Sequence, residues 1–118
     1  MASSLNFSHV NGDTFDEVPI RIKIDGVNAD LTDAIIRMQL RKKACDLKAV
    51  LSLTSVANAG LSIIDAINGI FKINQQIINI DIYNYVYDIE ITFANGEVKT
   101  YIRGNFNILE EVTRWAKQ

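Results

Sequence analysis

Alternation with a period of two is the feature that most constrains this chain. Tyr83, Tyr85, Tyr87, Ile89, Ile91 and Phe93 share one parity, while Asn84, Asp88, Glu90 and Thr92 take the other. A pleated strand sends successive side chains to opposite faces, so this run predicts a long strand with one buried face, set in the middle of a sheet. The pattern recurs. Val18, Ile20, Ile22 and Ile24 alternate with Pro19, Arg21, Lys23 and Asp25; Ala34, Ile36, Met38 and Leu40 with Ile35, Arg37, Gln39 and Arg41; Leu47, Ala49, Leu51 and Leu53 with Lys48, Val50, Ser52 and Thr54. Pro19 lacks the N–H that a ladder needs, which puts it at a strand's beginning or on an edge.

Between these runs stand turn residues. Gly26 to Asp30 separates the first two strands, and Asn58 and Gly60 follow the third. Leu61 to Ile64 and Ile70 to Ile73 flank Asp65-Ala66-Ile67-Asn68-Gly69, and read as two short strands. Residues 55–71 also admit a helix with Ile63, Ile67 and Ile70 on one side, against which Gly60 and Gly69 count. Asn95-Gly96 predicts a two-residue hairpin loop with positive φ at both positions, after which Val98, Thr100 and Ile102 point inward. Gly104, Phe106 and Ile108 continue that strand, and Leu109 to Trp115 forms a short helical or irregular tail.

Short strands spaced by turn signals predict an all-β fold, an immunoglobulin-like antiparallel β-sandwich of about seven or eight strands with a short C-terminal tail; a small closed barrel is the alternative. The 118 residues are one domain's worth, with 1–12 and 109–118 as extended or flexible arms. The longest apolar run is three residues, as in Ala34-Ile35-Ile36, far from the roughly twenty of a membrane helix, so no membrane partner is expected. Met1 to Asn6 shows no secretory signal, and Cys45, the single cysteine, leaves no internal disulfide and fits a reducing cytoplasm. A formal charge of −2 offers no basic excess for phosphates, which weighs against a dedicated nucleic-acid binder.

The phosphate-loop, zinc-protease, serine-elbow and CxxC patterns are absent, so no catalytic residue, cofactor, metal ligand or small-molecule substrate is expected. Cys45 reads as a half-buried thiol, and His9 as a polar residue with no readable partner. The aspartates fall mostly at turns, where Asp caps nearby N–H groups. Arg21 and Lys23, together with Arg37, Gln39, Arg41, Lys42 and Lys43, suggest one basic outer face, either solvated or a docking surface for an acidic partner. Tyr83, Tyr85 and Tyr87 read as core, with one phenol tied to backbone as in a tyrosine corner, rather than as a stacking platform. Ile77, Ile78, Ile80 and Ile82 are too apolar for a free edge strand. With Arg37 and Arg41, the isoleucines Ile77, Ile78 and Ile80 are the candidate protein-contact residues.

Gly12-Asp13-Thr14-Phe15, Asp30-Leu31-Thr32-Asp33-Ala34 leading into Ile36-Arg37-Met38-Gln39-Leu40-Arg41, Tyr85-Val86-Tyr87-Asp88-Ile89, Asn95-Gly96, Gly104-Asn105-Phe106 and Val112-Thr113-Arg114 occur in this order. Together they resemble a family of small immunoglobulin-like domains in phage and prophage structural proteins, known at the amino terminus of the upper baseplate protein of some siphophages. That pattern commonly has glycine where this chain has Asp33 and Asn84. The resemblance implies a non-enzymatic structural protein of a tailed-phage virion, in its baseplate, tail or head region. Such a protein assembles in the host cytoplasm through contacts with other virion proteins and with copies of itself. A host-surface glycan-binding or adhesion module is the alternative, and a small enzyme a third.

Overall fold

The computed structural model describes residues 3–111, so the predicted tail from 112 onward lies outside the described residues. In chain order the strands are β1 (Ser3–Ser4), β2 (Phe7–Val10), β3 (Thr14–Phe15), β4 (Val18–Arg21), β5 (Lys23–Ile24), β6 (Val27–Asn28), β7 (Ile35–Arg41) and β8 (Leu51–Thr54). They continue as β9 (Leu61–Asp65), β10 (Ile70–Ile73), β11 (Gln76–Ile77), β12 (Tyr83–Thr92) and β13 (Val98–Leu109). One short 3₁₀ turn, Val56–Asn58, is the helical element among the described residues, so 55–71 folds as strands and loop.

The fold is an antiparallel β-sandwich of immunoglobulin-like architecture. Its larger sheet runs β8-β7-β12-β13, and β1 and β2 lie in parallel along the far edge of β13. The smaller sheet runs β4-β10-β9, and the pairs β3-β11 and β5-β6 complete the ladders. One apolar cluster joins the layers: Ile36, Met38, Leu40, Tyr85, Ile89, Ile91, Phe106 and Ile108 from the large sheet meet Leu61, Phe71 and Ile73 from the small one. Burying a side chain of this size contributes about 1.5–3 kcal/mol, which is what drives the period-two pattern into two facing layers. The parity of β7 and of β12 is as read from sequence, with Ala34 and Tyr85 through Ile91 buried on one side.

Several local expectations need correction. Leu47 is fully exposed, and the third strand begins at Leu51, because 42–50 forms a loop around the Arg41–Asp46 contact. Residues 3–10 are extended but are no free arm, since both strands there are bonded to β13. Ile77, Ile78, Ile80 and Ile82 do not share a strand: β11 ends at Ile77. Cys45 is exposed. His9 has partners, its Nε2–H donating to the Asp13 carbonyl at 2.9 Å while its ring meets the Phe15 ring edge-on.

The hairpin differs in a physically instructive way. Gly96 donates to the Phe93 carbonyl, and Phe93 to Glu97, so Ala94 and Asn95 are the central turn residues and Gly96 follows with φ +89. This is a three-residue loop with the left-handed position at its end, and only Gly96 needs positive φ. Asn95 instead turns its Oδ1 to accept the Glu97 N–H at 2.9 Å. Thr92 consequently faces Val98 and Glu90 faces Thr100, both outward; a bulge beside Ile89 adds Tyr101 to β13 and restores Ile102 to the core opposite Ile89. Val98 and Thr100, expected inward, therefore lie on the outer face.

Candidate functional site

The outer face of the large sheet carries what the core parity excludes. Paired residues share a face, so Ser4, Arg103, Asp88, Gln39 and Ser52 form one row across five strands, and Asn105, Val86 and Arg41 form the next. A third row sets Glu90 beside Arg37 and Thr54. Between the first two rows lies a hollow of about 440 Å³, lined among others by Asn6, Arg41, Val86, Asp88, Arg103 and Asn105.

Gly104 shapes one wall. It has no side chain beneath the Leu5 carbonyl, so residues 4–6 lie close over β13, where Leu5 N–H donates to the Arg103 carbonyl at 3.0 Å. Asn6 Oδ1 accepts the Asn105 N–H at 2.9 Å, taking the place of a ladder bond. Tyr87, the cross-strand partner of Gly104 and on the same face, donates its hydroxyl to the Leu5 carbonyl.

The charges are arranged unevenly. Arg37 is within 3.8 Å of Glu90, an exposed pair that contributes little. Arg41 donates from Nε to the Asp46 carbonyl at 3.0 Å, which fixes its position while its terminal nitrogens have no acceptor among the described residues. Arg103 has neither an ion pair nor a side-chain hydrogen bond among the described residues, although Asp88 is its cross-strand neighbour. Lys42 does not line the hollow and is stacked over Tyr83 at 5.3 Å.

The predicted basic face is thus divided. Arg37, Gln39 and Arg41 stay together, but Arg21 and Lys23 line a different hollow of about 450 Å³ with Asp25 and Tyr101, because the chain crosses to the other sheet between β6 and β7. Among the candidate contact residues Ile77 is exposed, Ile80 half-buried, and Ile78 buried in the core at 3%. The three isoleucines and the two arginines therefore do not form one patch. Arg103, Asp88, Asn6 and Asn105 were not singled out from sequence; their outward parity was the available signal.

Tyr85 and Tyr87 are core, as their parity predicted, whereas Tyr83, at the start of β12, is exposed. Tyr85 is fully buried and donates to the Asp81 carbonyl at 2.6 Å, four residues upstream, the expected corner. Burial pushes the Tyr85 phenol up, with the charges of Asp81 and Tyr83 adding to it, and burial also pushes Tyr87 up strongly. Unfolded phenols ionise near pH 10 while these two keep their protons when folded, so the unfolded state binds fewer protons above that pH. Stability from this source is expected to be complete below about pH 10 and to fall as pH rises beyond it. Urea midpoints at pH 8 and pH 11 check this, and Tyr87→Phe should show the smaller drop; equal drops would contradict it. On the acid side, the Thr32 hydroxyl and then the Thr32 N–H hold Asp30 below its ordinary value in a local turn.

No family model matches the chain, and no curated protein matches it. Among solved structures it is similar to CopC from Methylosinus trichosporium OB3b, at 12% identity and a TM-score of 0.49, covering 92% of this chain and 89% of that one. The expectation of a tailed-phage structural protein is corrected here: no family model and no curated protein supports it, and CopC, a solved structure to which the chain is similar, is not a phage protein, so the baseplate, tail and head assignments are withdrawn. At that identity and TM-score nothing about binding passes from CopC to this chain. Among the described residues no group of three or more His, Cys, Asp or Glu is placed to hold a metal ion, and no helix is long and apolar enough to cross a membrane.

Proposed function

We propose that this chain is a non-enzymatic binding domain that engages an acidic segment of a partner protein at the hollow between Arg41 and Arg103. The observation that carries this reading is that Arg103 stands exposed on the hollow's wall with no protein acceptor among the described residues, in the row next to that of Arg41, which lines the same hollow. Charged groups of this kind steer encounters and select partners more than they supply raw affinity. Support for a non-enzymatic role comes from the lining itself. It holds one carboxylate, Asp88, and neither His nor Cys, so it lacks the paired acid and base or activated nucleophile that bond-breaking chemistry uses.

The test is an array of acidic, neutral and basic peptides probed with the labelled chain at low and high salt. Acidic peptides are expected to bind best and to weaken with salt, as exposed charges do. The double reversal Arg41→Glu with Arg103→Glu should reduce that binding tenfold or more, about 1.4 kcal/mol, and Asp88→Asn should strengthen it. Equal binding across the three charge classes, or insensitivity to the reversal, would overturn the reading.

A further inference from the structure

The amino-terminal strands are joined to the rest of the fold in an unusual manner. Ser3 to Val10 runs parallel to β13 and extends the large sheet, with Phe7 against the rings of Phe15, Tyr87 and Phe106 at centroid distances of 5.7, 5.7 and 5.2 Å. Leu5 and Asn6 fit over the bare Gly104. Asn11 is bonded to Leu109, Asn79 and Ile80. The chain then reverses at once: Asp13 N–H donates to the Val10 carbonyl at 3.1 Å, and Gly12 holds φ +86. The hinge between strand and body is a single tight turn, which Gly12 also ties to the body by donating its N–H to the Ile78 carbonyl at 2.8 Å.

We propose that residues 3–11 are an exchangeable strand, and that the groove along β13 is also filled, in the same register, by residues 3–11 of a second copy of this chain. Every contact between the strand and the groove is the same in the closed and the exchanged forms. Their difference is confined to the hinge and to the entropy of association, the condition under which swapping is a low-cost route to a dimer. The tight reversal favours exchange, since short hinge loops are relieved when the segment extends to a neighbour. Exchange is independent of the acidic-partner reading, although it brings Ser4 and Asn6 of one copy to the hollow of the other.

Ser8 and Asn107 are direct partners in the parallel ladder, and this makes the exchange measurable. In a Cys45→Ser background, Ser8→Cys and Asn107→Cys chains are unfolded together, refolded at high protein concentration and oxidised. A disulfide joining residue 8 of one chain to residue 107 of the other, found by peptide mass analysis in a species of twice the single-chain mass, is the expected result. Gly12→Pro forbids the closed turn, because proline fixes φ near −65°, and should shift the chain from monomer to dimer. The proposal is overturned if the chain carrying both cysteines closes internally while the mixture gives no 8–107 link. It is equally overturned if folded Gly12→Pro stays monomeric. Should Gly12→Pro fail to fold, the cross-link in the Gly12 background decides alone.

Discussion

Replacing Ile89 by alanine is expected to cost ~2–5 kcal/mol, and Ile91→Ala a similar amount. Both side chains are fully buried at the centre of the large sheet, Ile89 between Met38 and Ile102 and Ile91 beside Ile36. Truncation removes three methyl or methylene groups from a site flanked on both sides by paired strands, so the cavity cannot close by moving backbone. Urea unfolding with an unchanged slope and a lower midpoint is the expected record. A change below about half a kcal/mol at both sites would mean that they are not core positions at all.

Gly104→Val should be nearly as severe, for a reason unrelated to backbone angles. A Cβ at this position runs into the carbonyl oxygen of Leu5 and comes within 2.7 Å of Asn6 Oδ1, so the strand above must lift. Three hydrogen bonds go with it, from Leu5 to Arg103, from Asn105 to Asn6 and from Tyr87 to Leu5. At about 0.5–1.5 kcal/mol each, the expected loss is ~2–4 kcal/mol. Amide exchange separates this from general unfolding: protection should vanish over residues 3–10 while β7 and β12 keep theirs. Unchanged protection in the amino-terminal strands would refute the close approach.

The alternating runs of β7 and β12 were legible because burial on one face and a strict period of two leave a strong imprint in sequence. Ile78 was harder, since a buried residue in irregular chain has no periodic neighbours to mark it, and Leu47 carried the right parity without any strand to use it. Most informative is the hairpin. A two-residue loop at Asn95-Gly96 would place Asp88 opposite Arg103, which is where they stand, yet the loop has three residues. The bulge at Tyr101 compensates for the longer loop, so the misjudged register is confined to Val98 through Thr100. The hollow itself was only half visible. Arg41 could be read from its strand, but its companions come from β12, β13 and an amino-terminal segment whose docking depends on one missing side chain.

The parallel amino-terminal edge also sets an order of events in time. Asn6 and Asn105 are bonded across 99 positions of sequence, so β1 and β2 leave the ribosome well before the strand that fixes their place. Until β13 has been made, Phe7 has no sheet to join, and Phe15 and Tyr87 lack one of the rings that cover them. Closing so long a loop costs chain entropy before any contact compensates for it, which slows folding in proteins rich in such pairings. For that interval the nascent chain carries an unpaired strand and the uncovered ring of Phe7, the kind of surface through which growing chains aggregate and which chaperones cover.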